Sequence, residues 1–552
     1  MHRAILATCL LVAMAVAAAR AEFVPFQRPT EAKDVTDAKG VRAIGYSFGM
    51  SMNQTIFLRA PADPKNPPGR PPNCPLDVDN EFKPRGVASV EEWEKARDKI
   101  RKAVRAYFGA MPMADLDLEP KIESEQDCED YTLRTVSYAH SPSQRGKLCL
   151  MIPKGLPGPA PAILIYDAWG NQIKAVTGQP LSQEEIDVVK ASGTPYTGKA
   201  TYSRTIGVHL VRQGVVVVAL DHWYDQYGKS TRLNTAGAAV HAVTRVINYL
   251  ETQKELVNPK QIGIFGHVYG AELAQFAMAM EDRLGACAAS VSWFDPVVPY
   301  TTDYWGAPFW ATGYKFAEFT RTAERSSPEM YCSNRKANTN PLPFLTQEML
   351  ACMAPRPYLG IQQGLGYGGK SSNTAVIDCI RPVWEVYGKA DRVELIEHKW
   401  QTNQPVNMRD YVTDFFLRSL AGINPGQCPE DVAKRIVEGL GGDKDKQLGA
   451  CRLAAWWRCK QAVPGMAKLL ASEDAALRRS AAKGLERCGA VEQLLPALTH
   501  ADPVLRLAVV ECLWLHGDGQ KQAWKAMAAD ERDSDPWVKE AKWQALQCNP
   551  YE

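Results

Sequence analysis

The chain has 552 residues, 45% hydrophobic and 23% charged, with 64 basic against 62 acidic side chains. This composition excludes a disordered or collagen-like chain, and a net charge of +2 removes the electrostatic case for nucleic acid, whose binders concentrate basic charge. The length suggests roughly two to four domains with a large core.

His2 and Arg3 precede an apolar run from Ala4 to Ala19, and Ala19-Arg20-Ala21 fits a small-x-small cleavage pattern. Residues 1–21 therefore read as a secretory signal removed before Glu22. A membrane anchor is the alternative, but about 16 apolar residues are short for a span. Cys9 lies inside the run rather than after it, which argues against lipid attachment. No later stretch is long enough to cross a bilayer, so the mature protein is expected to be secreted or periplasmic, with no membrane span. Of the 14 cysteines, loss of Cys9 leaves 13, an odd number for an oxidising compartment. Cys74, Cys128, Cys149, Cys332, Cys352 and Cys379 could form bridges, with no partners assigned. No CxxC or HExxH is present, and no histidine clusters with cysteine at metal-ligand spacing. Neither a metal nor a cofactor is expected.

Residues 22–88, rich in proline around Pro64 to Pro75, read as an extended arm laid over a domain. A helix is expected from Val90 to Phe108, with Ile100, Val104, Tyr107 and Phe108 at helical spacing. Alternating segments from Tyr131 to Ile152 suggest an antiparallel pair. Short apolar strands then follow at Ala162–Tyr166, Val215–Leu220, Ile262–Phe265, Ala288–Trp293, Tyr358–Gln362 and Val393–Glu397. Helical stretches lie near 201–213, 236–253, 270–281, 373–387 and 408–421. This alternation predicts an α/β fold with a mostly parallel sheet covered by helices on both faces, spanning residues 89–424.

Past Pro425 and Gly426 the strand signals stop. A segment beginning at Ala462 parallels one beginning at Ala490, and Leu448, Leu477 and Leu505 each open an alanine-rich second helix. Asp535-Pro536 echoes Asp502-Pro503. Residues 425–552 thus resemble short HEAT-type helical repeats, which usually bind other macromolecules. A structural cap on the sheet domain is the alternative.

Residues 261–265 run into Gly266-His267-Val268-Tyr269-Gly270 and then an apolar helix. Strand, tight turn and helix in this order are the frame of a nucleophile elbow, whose central residue stands above the sheet. Here the central residue is Val268, which has no nucleophilic atom. Together with Glu91-Glu-Trp-Glu-Lys-Ala-Arg97, Pro159-Ala-Pro-Ala-Ile-Leu-Ile165, Ala354-Pro-Arg-Pro-Tyr-Leu359 and Arg381-Pro-Val-Trp-Glu-Val-Tyr-Gly388, this frame resembles the α/β-hydrolase superfamily. The resemblance is greatest to the acetyl xylan esterase and dienelactone-hydrolase-like branch of carbohydrate esterases, over roughly residues 88–421.

That resemblance implies an acid in the loop after the strand 358–362, where residues 363–369 contain no carboxylate and Tyr367 takes the position. It implies a histidine beyond the strand 393–397, where the place falls at Thr402. His398 stands four residues earlier. The segment that often helps form the oxyanion hole reads Tyr166-Asp-Ala-Trp-Gly170. A triad works as a unit, so substitution at Val268, Tyr367 and Thr402 removes the ordinary mechanism. A relocated site remains as the alternative, drawn from His267, Ser290, Ser292 and Asp295.

Gly364, Gly366 and Gly369 match a dinucleotide fingerprint after a strand, with Asp391 downstream, but at the far end of the sheet rather than its first crossover. Aromatic residues cluster after two parallel strands, where open α/β sheets bind ligands. Trp169, Trp223, Tyr224, Tyr269, Tyr304 and Trp305 are the expected lining of a ligand cleft, with rings suited to stack on sugars; a packed lid is the other reading. The expected function is a secreted, non-catalytic relative of carbohydrate esterases that binds a glycan or a protein, the latter through its C-terminal repeats. The alternatives are an active carbohydrate ester hydrolase with a relocated site, and a scaffold whose repeats are the working surface.

Overall fold

The computed structural model describes residues 33–36, 42–45, 56–57, 77–78, 84–85, 89–108, 116–128, 130–156, 158–167, 172–179, 206–220, 235–267, 269–290, 346–363, 372–398, 406–516, 533–535, 538–539 and 541–542. The expected leader, residues 1–21, lies outside them. Five short strands come first: β1 (Lys33–Thr36), β2 (Arg42–Gly45), β3 (Ile56–Phe57), β4 (Asp77–Val78) and β5 (Pro84–Arg85). Helix α1 (Val90–Phe108) follows, then the antiparallel run β6 (Lys121–Asp127), β7 (Tyr131–Ser141) and β8 (Gln144–Pro153).

Strands and helices then alternate. Their order is β9 (Ala160–Tyr166), α2 (Gln172–Thr177), α3 (Ile206–Arg212), β10 (Val216–Leu220), α4 (Thr235–Thr252), β11 (Val257–His267) and α5 (Tyr269–Met280). After them come β12 (Ala286–Ser290), α6 (Thr346–Ala351), β13 (Tyr358–Gln363), α7 (Ser372–Val386), β14 (Val393–His398) and α8 (Val406–Ala421). One twelve-stranded sheet results, in the order β1-β2-β3-β14-β13-β12-β11-β9-β10-β8-β7-β6. The six strands from β14 to β10 are mutually parallel, and their antiparallel flanks make the sheet mixed. The mostly parallel α/β architecture is the one expected from the alternation.

The described strands of residues 22–88 that precede α1 include three that join the main sheet. Strand β3 pairs with the edge of β14, Ile56 opposite His398, and β2 and β1 extend the sheet further. An open edge strand carries unpaired backbone donors and acceptors, and added strands satisfy them.

Successive side chains on a strand point to opposite faces, so the buried central strands feed two cores. On one face Ala162, Leu164, Tyr166, Val216, Val218, Ile262 and Ile264 meet Trp93, Ile100 and Val104 of α1, together with α4, α5, α6 and α7. On the other, Ile163, Ile165, Val217, Ala219 and Phe265 meet α3 and α8.

The C-terminal region joins this second face. Its helices are α9 (Glu430–Leu440), α10 (Lys444–Trp457), α11 (Val463–Leu469), α12 (Ala475–Arg487), α13 (Val491–Leu494) and α14 (Pro503–His516). Among the described residues past 424 there is no strand. The internal echoes seen in the sequence are helix starts. Asp443, Asp474, Asp502 and Asp535 accept hydrogen bonds from the backbone N–H of Lys446, Leu477, Val504 and Val538, satisfying donors that open a helical turn.

The same hydrophobic cluster contains Phe265 of the sheet, Phe415 of α8, Trp456 of α10, Leu485 of α12 and Val509 of α14. Arg452 donates to Asp130 O at 2.9 Å, and Trp456 Nε1 donates to Gln213 O. Gly155 adopts a positive φ, and a Cβ there would stand 2.6 Å from Leu448 Cβ. Proteolytic separability near residues 421–428 is expected of an exposed Pro/Gly-rich linker. The structure places Ile423 of that segment in the core, 3% exposed, so the change of secondary structure there is not a break in packing.

The thiols of Cys128, Cys149 and Cys352 are unbridged. Cys149 and Cys352 serve as small apolar core residues. Cys74 and Cys332 lie outside the described residues, as does the side chain of Cys379.

Candidate functional site

The site is built on the carboxyl edge of the parallel strands. β11 ends at His267 and α5 begins at Tyr269, so a single position separates strand from helix. Two glycines make this junction possible. A Cβ on Gly266 would stand 2.2 Å from Gly270 O, and one on Gly270 would stand 2.2 Å from Tyr166 O. Only glycine permits helix, strand and the end of β9 to approach so closely. This is the elbow frame expected from the sequence, and its central position is occupied by Val268, which lies outside the described residues.

Beside the elbow, His267 Nδ1 and Ser290 Oγ are 3.3 Å apart, the two residues being register partners at the ends of β11 and β12. Both side chains are buried, His267 at 3% and Ser290 at 0% exposed. Period-two alternation from Phe265 and Ala288 points them toward the face covered by α3 and α8, which accounts for that burial. On the opposite side of β11, Gly266 pairs with Tyr166, the last residue of β9, so the buried Asp167 that follows it stands at the same edge. Glu272, in the first turn of α5, is also buried, where the positive end of the helix favours an acid. Asp167 and Glu272 are not among the acids that the sequence motifs single out. Their positions, immediately after an apolar strand and in the first turn after the elbow, are the signal that marks them.

α5 is held rigidly. Gln275 donates to Tyr358 Oη of β13 at 2.6 Å, and burial pushes the Tyr358 phenol far above its ordinary value, so it stays neutral. Tyr166 Oη donates to Ala239 O of α4 at 3.1 Å.

β13 and β14 are parallel to β11 and end at the same edge, Gln363 opposite His398. The segments that follow carry Tyr367 and Thr402, both outside the described residues. His398 is the last residue of β14, paired with Gln363 on one side and Ile56 on the other, so its backbone belongs to the strand. Of the relocated-site candidates, the structure brings together His267 and Ser290; Ser292 and Asp295 lie outside the described residues, as does the glycine-rich loop 364–369. The expected cleft residues Trp169, Trp223, Tyr224, Tyr304 and Trp305 lie outside them as well, and Tyr269 is described in its backbone alone. Among the described residues no group of three His, Cys, Asp or Glu side chains is placed to hold a metal ion. None of their helices is long and apolar enough to cross a membrane.

A family model described as glucuronyl esterase, fungi, matches residues 216–388, the stretch holding the elbow and β10 to β13. No curated protein sequence matches the chain. Among solved structures, it is similar to a glucuronoyl esterase from Solibacter usitatus at 17% identity and a TM-score of 0.46, covering 64% of this chain and 99% of that one. A glucuronoyl esterase from Teredinibacter turnerae matches at 15% identity and a TM-score of 0.44, over 76% of this chain and 99% of its own. A Bacteroides fragilis protein assigned as an acetyl xylan esterase matches at 16% identity and a TM-score of 0.39, over 58% and 78%. The family-model match is thus to an esterase family, over the stretch that contains the elbow.

Proposed function

We propose that this chain is a non-catalytic relative of the carbohydrate esterases that holds a glycan at the carboxyl edge of its sheet. The observation that carries the reading is the elbow: β11 and α5 leave one position between them, and the residue there is valine. Without a hydroxyl or thiol at that point no acyl-enzyme can form by the ordinary route. Tyr367 and Thr402 at the positions of acid and base agree with that loss. The aromatic residues Trp169, Trp223, Tyr224, Tyr304 and Trp305 follow the carboxyl ends of β9, β10 and β12 in the chain, and sugar stacking is the role their chemistry supports. Residues 1–21 support export, and a secreted or periplasmic site of action is part of the proposal. The C-terminal helices are read as HEAT-like repeats whose first task is to cover the sheet; a protein partner on their outer surface is a separate question.

Purified mature protein is expected to show neither burst nor turnover with a chromogenic acetate ester or a glucuronoyl ester, while retaining affinity for polysaccharides that carry such groups. Val268→Ser alone should restore little, because an unassisted serine hydroxyl is a weak nucleophile. Val268→Ser with Tyr367→Asp and Thr402→His is the smallest set that could revive acyl transfer.

The second reading, an active hydrolase with a relocated site, is favoured by the His267–Ser290 hydrogen bond. Its burial opposes it, since a nucleophile must reach its substrate. Robust wild-type hydrolysis abolished by His267→Ala, Ser290→Ala or Ser292→Ala would overturn the first reading in favour of the second.

A further inference from the structure

A thiol cluster in the helical region is used by nothing described above. Gly426 N–H donates to Trp457 O at 2.9 Å, which lays the segment before α9 along the C-terminal end of α10. Two residues beyond each of these partners stand Cys428 and Cys459. Cys428 is half-buried and packs against the hydrophobic cluster that contains Cys459 and Cys488. Burial first, and then the adjoining Cys459 thiol within hydrogen-bonding reach, push the Cys428 thiol up to about 12. Each thiol also has a local acceptor: Cys428 Sγ donates to Pro429 O at 3.6 Å, Cys459 Sγ to Gln461 Oε1 at 3.4 Å, and the buried Cys488 Sγ to Ala454 O at 3.7 Å and Cys459 O at 3.6 Å. Cys149, Cys287, Cys352, Cys451 and Cys512 are buried core thiols.

We propose that Cys428 and Cys459 form a dithiol that closes to an intrachain disulfide by exchange with a low-molecular-weight disulfide donor. Cys428, the more accessible member, attacks one sulfur of the donor as a thiolate; a mixed disulfide forms and one donor thiolate leaves. The Cys459 thiolate then attacks Cys428 Sγ, the mixed disulfide breaks, and the second donor thiolate leaves. Two protein thiols give up two protons and two electrons, and one donor disulfide takes up both to become two thiols. A thiol that ionises only at high pH makes the exchange slow at neutral pH and faster under alkaline conditions. The bond encloses α9 and α10 in a covalent loop and fixes the chain where it leaves α8. It constrains the unfolded chain more than the folded one, whose backbone segments already lie together. Chemistry at the edge of the sheet, present or absent, does not bear on it.

The test uses the full mature chain, equilibrated with oxidised glutathione, alkylated under denaturing conditions and digested without reduction. Mass spectrometry is expected to find one peptide pair joining Cys428 to Cys459, with Cys488 carrying the alkyl group. Oxidised protein should melt at a higher temperature than reduced protein, and Cys428→Ser should abolish both the linked peptide and that difference. Alkyl groups on both Cys428 and Cys459 after equilibration, or a peptide joining Cys459 to Cys488, would overturn the proposal. Peptide mapping of the wild-type chain decides the matter even if the serine variant does not fold.

Discussion

Arg487 Nη1 lies 2.9 Å from Asp410 Oδ1, joining α12 of the helical region to α8 of the sheet region with both side chains almost wholly buried. The pair sits in a larger charged network. His209 Nε2 of α3 is 3.0 Å from the same Asp410 oxygen, and Asp414 takes hydrogen bonds from Arg487 and Arg458. Lys483 stands between Glu486 and Glu511, with Arg409 3.7 Å from Glu511. Four acids thus face four cations and the neutral His209, in a junction buried but for Arg458. Desolvation opposes every one of these charges, and mutual attraction offsets it only while all partners remain.

Removing one partner should therefore cost more than the pair contributes. Arg487→Met is expected to lower stability by about 3–5 kcal/mol, because it leaves the buried Asp410 without its arginine and takes one of two arginines from Asp414. Arg487→Met combined with Asp410→Asn should cost less than the sum of the two single changes. Urea unfolding of the four proteins measures this; strict additivity would mean that the residues do not act as one network.

Acid should weaken the fold before the carboxylates titrate. Burial lowers His209 to about 4, and burial with His241 and Arg245 nearby lowers His140 to about 3; burial lowers His241 too. Between those values and the ordinary histidine range the unfolded chain binds more protons than the folded one. This stability is fully present above about pH 6.5 and is lost as pH falls toward the folded values. His209 alone should account for about 2 kcal/mol by pH 5, and His209→Asn should flatten the slope. Burial opposes ionisation of Asp410 and Glu511, but Arg487 and His209 hold Asp410 well below the usual carboxylate range, and Lys483 and Arg409 bring Glu511 to about 2. Their contribution is present above the ordinary carboxylate range and is lost only in stronger acid. Glu486, raised by burial and by Glu511, runs the other way: it favours the fold at low pH and weakens it as pH rises. Urea midpoints at pH 7.5 and 5.0 that coincide for wild type would contradict this.

The elbow glycines should be structural even in a chain that performs no catalysis. Gly270→Ala drives a methyl group against Tyr166 O, and Gly266→Ala against Gly270 O, neither of which is a flexible side-chain end. Each is expected to cost about 3 kcal/mol. Thermal unfolding measures it, and a variant as stable as wild type would show that the turn can relax.

Truncation after residue 424 should not yield a well-behaved sheet domain. It strips Trp456, Leu485 and Val509 from the cluster they share with Phe265 and Phe415. Exposed apolar patches of that kind promote association. Size-exclusion chromatography of residues 22–424 is expected to show aggregates, and a stable monomer would speak against the shared core. Cleavage of the full chain near residue 424 should likewise leave the two fragments associated.

What the amino-acid sequence determined alone was local. Short uninterrupted apolar runs bounded by turn residues, such as Ala162–Tyr166, fit strands buried on both faces, and helical spacing from Val90 to Phe108 fits a helix burying one stripe. Spacing also located the elbow, since Gly266 and Gly270 announce a junction that no side chain fits, and the identity of Val268 states its chemistry without reference to coordinates. Tertiary structure decided what lies far apart in the chain. The pairing of β3 with β14, the burial of Ser290 against His267, and the meeting of Asp410 with Arg487 join residues whose local patterns hold no trace of one another. A charged residue on a helix reads as a solvated face until another helix covers it. Whether the C-terminal helices stood apart or closed over α3 and α8 depended on the match between two apolar surfaces, and that match exists only once both have folded.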